Sequence, residues 1–376
     1  MSMRFGFVST YPPTQCGLAT FAAALRGALL HDTGDEGRVV RLVDAPEPGD
    51  GGEVVAQLVA GDAASLRRAA EHLNQCDVAI VQHEYGVYGG ADGSEVLELL
   101  DQVMVPSVVI LHTVLADPTP HQRRVLEAVT AKADAVVTMT VTARDRLAAG
   151  YAADPRKITI IAHGAPARPA AMAGPAAGTG PFTVLTWGLL GPGKGVEWGI
   201  AAMALLRDLA PMPRYVIAGQ THPKVALHEG DAYRDRLRGQ VRQAGLGPWV
   251  SFDGQYRNAA ALASLVRSAD VVLLPYDSTE QVTSGVLIEA VAAGKPVVAT
   301  QFPHARELLA GGAGLLVPHR DPAAIAAALR SVVTRGDVLS RMAAAAAATA
   351  PRLLWPAVAD QYRELAGRLI SASVPA

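Results

Sequence analysis

The sequence predicts an α/β protein of two doubly wound domains, each a parallel sheet covered by helices on both faces. Three observations carry this. Short runs rich in Val and Ile alternate with segments of helical periodicity along almost the whole chain, the pattern of parallel sheets buried on both sides. The alternation breaks once, at Ala165 to Pro181, where Pro, Gly and Ala follow one another without period, as in a linker. The 376 residues exceed the usual size of one domain, and half of them are hydrophobic, which is enough for two cores.

In residues 1–164 the strand-like runs are RFGFVSTY, VVRLVDA, DVAIVQHEY, SVVILHTV, AVVTMT and ITIIAHG. LATFAAALRGALL, AASLRRAAEHL, GSEVLELLDQV, HQRRVLEAVTAK and TARDRLAAGY are the helices between them. Residues 182–350 restart the same grammar with FTVLTWGLL, RYVIAGQ, VSFDG, DVVLLPY, KPVVAT and GLLVP, without repeating the sequence. RMAAAAAATA has low complexity, yet Ala is the best helix former, so an ordinary helix is expected there. Residues 351–376 hold the amphipathic LLWPAVADQYRELAGRLI, a last helix.

Composition excludes several functions. The formal net charge is -2 and Lys and Arg are scattered, which argues against nucleic acid as a partner. Cys16 and Cys76 lie far apart without Cys-x-x-Cys spacing, so neither a zinc site nor a disulfide framework is expected. MSMRFGFVST lacks the regions of a signal peptide, and Pro or charge interrupts every apolar run before it could span a bilayer. A cytoplasmic protein with no transmembrane segment is the expectation.

Ligands of such sheets sit beyond the carboxyl ends of the strands, so the loops there hold the candidates, and a cleft between the domains is the expected site. After the first strand, STYPPTQCGLATF places Gly17 at a helix start, where a glycine lets backbone approach a phosphate or sugar, or simply begins a helix. QHEYG and LHTV put His83, Glu84 and His112 at strand ends, a polar cluster of individually weak candidates. GLLGPGKG, Gly188 to Gly195, nearly spells a P-loop, but Gly195 stands where a Ser or Thr would hold magnesium, and Pro192 removes an amide. What remains is Lys194 on a glycine-rich turn, suited to a diphosphate. In DSTEQVTSGVLIEAVAAGKPVV, Thr283 and Ser284 are N-cap types and Gly285 opens an apolar helix whose first N–H groups suit an anion. Glu289, a turn further on, can accept from a vicinal diol such as ribose, or be a plain solvated helix residue.

Together these residues resemble the family 4 glycosyltransferases, retaining enzymes of GT-B architecture that use nucleotide sugars. The likeness covers nearly the whole chain and is most specific from DVVLLPY through EQVTSGVLIEAVAAGKPVV to GAGLLVP. The resemblance implies two Rossmann-like domains facing a central cleft, with residues 1–164 on the acceptor side and residues 182–350 binding the nucleotide sugar. The helix in 351–376 would cross back onto the first domain. Lys194 would bind the donor's diphosphate, Gly17 would approach its phosphate, Glu289 would bind its ribose and the loop ahead of Ser284 its sugar, with the helix start at Thr283, Ser284 and Gly285 as part of the donor site. His112 would stand near the donor sugar, with His83 and Glu84 as acceptor-side candidates.

Two positions depart from the family. Leu189 stands where an arginine usually follows the glycine, and the residue eight before Glu289 is Gln281, with Glu280 one place too early. Either Gln281 or Glu280 would meet the sugar. No metal or other cofactor is expected, since the nucleotide sugar is a substrate and no Asp-x-Asp occurs. The acceptor would be a small soluble sugar or polyol rather than a lipid. A sugar-nucleotide epimerase and a catalytically silent sugar-nucleotide-binding protein are the alternatives.

Overall fold

The computed structural model describes residues 2–48, 51–166, 180–255 and 257–373. Most of the linker expected at 165–181 lies outside the described residues. The chain divides into two compact units, Met1–Gly164 with Leu353–Ala376, and Ala165–Arg352. Among the described residues no helix is long and apolar enough to cross a membrane.

The first unit runs β1 (Arg4–Ser9), α1 (Gly17–Leu30), β2 (Glu36–Val43), β3 (Val54–Val59), α2 (Ala63–Leu73), β4 (Val78–His83) and α3 (Glu95–Gln102). It continues with β5 (Ser107–Leu111), α4 (Pro120–Lys132), β6 (Ala135–Thr138), α5 (Val141–Gly150) and β7 (Ile158–Ile160), and the last helix of the chain, α14 (Trp355–Ser373), returns to it. Its seven parallel strands lie in the order β3-β2-β1-β4-β5-β6-β7. The order reverses between β1 and β4, where Val8 pairs with Val81, so the end of β1 at Ser9 lies beside the end of β4 at Gln82 and His83. Such a reversal opens a crevice at the strand ends. Phe21, Leu25 and Leu29 of α1 join Val358, Tyr362 and Leu365 of α14 in one buried cluster, each side chain worth roughly 1.5–3 kcal/mol. β3 is not among the strand-like runs of the sequence. It is an edge strand whose residues are mostly half-buried, and VVAQLV shows neither clean alternation nor a fully apolar run.

The second unit runs β8 (Thr183–Trp187), α6 (Val196–Ala204), β9 (Arg214–Ala218), α7 (Pro223–Glu229), α8 (Ala232–Gln243), β10 (Val250–Asp253) and α9 (Ala259–Ser268). Then follow β11 (Val271–Leu274), α10 (Gly285–Ala292), β12 (Val297–Thr300), α11 (Pro303–Leu308), β13 (Gly314–Val317), α12 (Pro322–Thr334) and α13 (Gly336–Thr349). The six parallel strands are ordered β10-β9-β8-β11-β12-β13, with the reversal between β8 and β11. The loops after β8 and β11, which carry Lys194 and the start of α10, therefore leave adjacent strand ends. Side-chain caps fix many helix starts in both units: Asp62 on α2, Thr119 with Gln122 in a capping box on α4, Asn258 on α9 and Asp321 on α12.

Candidate functional site

In the second unit the loop after β8 is built by hydrogen bonds to its own turn and to the next strand. Lys194 N–H donates to Gly191 O (3.1 Å), and Asp277 N–H donates to Gly193 O (2.9 Å). Gly195 then begins α6 at φ 63°, and a Cβ there would stand 1.8 Å from Pro275 O, so only glycine fits. This seam sets Lys194 Nζ 4.5 Å from the centroid of the Tyr276 ring, a cation–π contact that orients the ammonium. The ring stacks on Phe302 at 5.3 Å, and Tyr276 O accepts from Thr300 Oγ1 (2.7 Å) and meets His319 Nδ1 (2.8 Å). Asp277 in turn accepts from the Trp198 indole (2.8 Å) and lies 3.4 Å from Arg320 Nε.

Ser284 is the N-cap of α10, its Oγ accepting from Leu287 N–H (3.3 Å). Its own N–H donates to the Nδ1 of buried His304 (2.8 Å), so the donor set expected at Thr283, Ser284 and Gly285 is narrower than sequence suggests. Ser284 is a capping and anchoring residue, and the first-turn amide positions begin at Gly285. Thr283 Oγ1 is buried with no hydrogen-bond partner among the described residues. Gln281 turns its amide back onto the loop, donating to Thr283 O (2.9 Å), while Glu280 is exposed.

Glu289 is not a solvated surface residue. Burial pushes its carboxyl up from the ordinary 4.5 to about 7, with the hydrogen bond from the Trp187 side chain pulling the other way. A carboxyl whose native pKa exceeds its unfolded value binds its proton more tightly when folded. Its share of stability is complete below the unfolded value, falls as pH rises, and is lost above about 7. The melting temperature should therefore fall more between about pH 5 and pH 8 in the parent than in Glu289→Gln. Parallel curves would remove this carboxyl as the cause.

In the first unit, Gly17 opens α1 behind the Cys16 cap, and no atom lies within 4 Å of a Cβ built on it, so backbone is approachable there. His112 Nε2 lies 2.6 Å from Gln82 Oε1, and its peptide N–H donates to His83 O (3.1 Å). Phe21 meets the rings of both His112 (5.0 Å) and His163 (4.9 Å) edge-on. Burial, then the neighbouring His163 and His83, pushes His112 down to about 3, so its imidazole is neutral at ordinary pH. Glu84 accepts from Thr113 Oγ1 (2.5 Å) and Tyr85 N–H (3.0 Å), cross-linking two strand-end loops. The placement of His83 at an open strand end is corrected. It is fully buried, both ring nitrogens lack partners among the described residues, and burial pushes it down to about 4.

Gln82, Trp187, Tyr276 and His304 were not singled out from sequence. Each acts through a partner from another strand or loop, which no spacing along the chain displays. The only local hint was Gln82 inside QHEYG.

Residues 181–335 match the family model Glycosyl transferases group 1. The group 1 match thus takes in the Gly188–Gly195 loop, Tyr276 and α10. Among relatives, the chain is 29% identical over 327 residues to the D-inositol 3-phosphate glycosyltransferase of Segniliparus rotundus, covering 82% of this chain and 70% of that protein. It is 41% identical over 134 residues to the phosphatidyl-myo-inositol mannosyltransferase of Mycobacterium leprae, spanning 35% of this chain and only 34% of that protein. Among solved structures, HepE of Anabaena in complex with UDP superposes with a TM-score of 0.75 at 18% identity, over 97% of this chain and all of that one (100%). The sucrose-phosphate synthase of Thermosynechococcus elongatus gives a TM-score of 0.76 at 20% identity, over 99% of this chain and 100% of that one. The two parallel-sheet domains have the GT-B glycosyltransferase fold.

Proposed function

We propose that this protein is a nucleotide-sugar-dependent hexosyltransferase, moving a hexose from a nucleoside diphosphate sugar to a hydroxyl acceptor with retention of anomeric configuration. One observation carries this reading: Lys194, fixed over the Tyr276 ring, shares the switch point of the second sheet with the start of α10 and with Glu289. That is a cation, a helix N-terminus and a half-buried carboxyl at one set of strand ends. The first two suit a diphosphate, and the third suits a ribose diol. The family match over the same residues supports it, as do the UDP and glucose bound by HepE.

Departure of the diphosphate is then the step to be stabilised, and the Lys194 ammonium with the α10 amides does it electrostatically. The acceptor attacks from the face that the nucleotide leaves, and a diphosphate oxygen takes its proton, so no metal is required. His112, neutral, can serve as a hydrogen-bonding group and not as an acid. Gln281 spends one amide N–H on Thr283 O and keeps its other N–H and its Oε1, whereas Glu280 is exposed. Gln281→Ala and Glu280→Ala therefore divide the roles: the variant that abolishes transfer while sparing nucleotide affinity marks the sugar contact. If both transfer normally, neither residue touches the sugar.

A small sugar or polyol is the proposed acceptor. The names of two relatives share an inositol unit, free as a phosphate ester in one and lipid-linked in the other. The test is nucleotide release from uridine and guanosine diphosphate sugars, each alone, with soluble sugars and polyols including D-inositol 3-phosphate, and with phosphatidylinositol vesicles. Acceptor-dependent release with retained configuration is expected. Conversion of the donor alone would mark an epimerase. Binding without release would mark a silent binding protein, and Leu189 and Gln281 would then be its cause.

A further inference from the structure

Lys194 and α10 leave the strand ends of β8 and β11, so a bound nucleotide extends from there to one side or the other. The β12 and β13 side is filled: fully buried Phe302 stacks on Tyr276, His304 holds Ser284, and His319 meets Tyr276 O. On the other side each strand is followed by glycine. β8, β9 and β10 are followed by Gly188, Gly219 and Gly254 in turn. Gly219 adopts φ 125°, and a Cβ on it would stand 1.9 Å from Gly188 O, so these strand ends meet backbone to backbone. A flat ring can lie against such a floor without meeting a side chain.

Beneath the floor lies a guanidinium with spare hydrogen-bonding capacity. Arg234 of α8 is only 5% exposed. Its Nη2 donates to Gly219 O, but Nη1 is buried with no acceptor among the described residues. The acids around it have other partners: Asp253 accepts from Arg257 and from Gln255 N–H (3.0 Å), Asp231 from Thr221 Oγ1 (3.2 Å), and Asp235 from Arg238 (3.2 Å). A Cβ on exposed Gly254 would lie 3.6 Å from Nη1, so that nitrogen sits one side-chain-free residue below the surface. A buried charged donor left without an acceptor is costly, and an incoming acceptor would relieve it.

We propose that Arg234 reads the nucleobase: its Nη1–H donates to a base carbonyl oxygen beside Gly254, so uridine or guanosine diphosphate sugars are chosen over adenosine diphosphate sugars. Guanidinium is donor-only, and uracil and guanine offer it a carbonyl where adenine has an amino group, which would set donor against donor. A site built to make such a bond rejects the analogue that lacks the acceptor. The inference rests on the nucleotide-sugar reading above.

Titration calorimetry of UDP, GDP and ADP into the parent, Arg234→Met and Gly254→Val tests it, with a melting curve on each. The parent should bind UDP or GDP at least about tenfold more tightly than ADP. Arg234→Met should bring all three to similar affinity, because the shared diphosphate contacts remain. Gly254→Val leaves the arginine in place but blocks the approach, so it should weaken the preferred nucleotide by about tenfold and ADP less. A preference that survives in both folded variants, or a parent that binds ADP equally well, overturns the assignment of Arg234 alone. A folded parent that binds none of the three overturns the nucleotide-sugar reading and this inference with it.

Discussion

Lys194→Ala should lower kcat/KM by about 10²-fold or more, the usual cost of removing one preorganised electrostatic contact from a developing anion. The lysine is held over Tyr276 by a loop whose hydrogen bonds are all backbone, so truncating the side chain leaves the loop intact. The folded protein loses only a cation–π contact worth about 0.5–1 kcal/mol. Melting temperature should therefore scarcely move while turnover collapses. Leu189 makes the dependence sharper, because no second cation stands after Gly188 at the start of the glycine-rich turn. Lys194→Arg should recover part of the loss, since the charge returns but a planar fork replaces a compact ammonium. Unchanged kinetics in the alanine variant would take Lys194 out of the reaction.

Gly195→Ala should be strongly destabilising, although it adds a single methyl group to the second domain's site. Two penalties coincide: a left-handed backbone at φ 63°, and a Cβ 1.8 Å from the carbonyl oxygen of Pro275. The strain alone costs about 1–2 kcal/mol, and relief of the contact must move either the start of α6 or the end of β11. We expect a total loss of about 3 kcal/mol or more, read as a shift of the urea midpoint. Gly193→Ala is the control, because its φ of 88° carries the strain but nothing lies within 4 Å of the added carbon. Equal losses in the two variants would show that the Pro275 contact is not what demands glycine.

Much of the architecture was legible because parallel strands buried on both faces announce themselves as short β-branched runs. β3 escaped because it lies at the sheet edge, half-buried, and lacks that signature. Lys194 and Glu289 were legible one at a time, from a glycine-rich turn and from the helix start ahead of the glutamate. Their partners were not. Tyr276 reaches Lys194 from the end of a different strand, and Trp187 reaches Glu289 from the strand before the loop. His83 misled for a related reason: the end of a strand in sequence is not the surface of the sheet, and at His83, one residue before Glu84, the chain is still fully covered. Ser284 was legible as a cap, but the capture of its N–H by His304, twenty residues on, was not.

The first unit is closed by a helix from the far end of the chain, with α14 on α1 and Gly164 so near Trp355 that a Cβ would stand 2.1 Å from its ring. The two units therefore differ in when they can be completed. During synthesis Ala165–Arg352 has all its own segments as soon as the ribosome passes them, whereas the half made first must wait, its α1 face uncovered, for the last helix. The later-made half can mature first. The waiting half exposes an apolar stripe of Phe21, Leu25 and Leu29 for the time needed to translate nearly two hundred intervening residues, a window in which a chaperone or a neighbouring nascent chain competes with α14 for the same face.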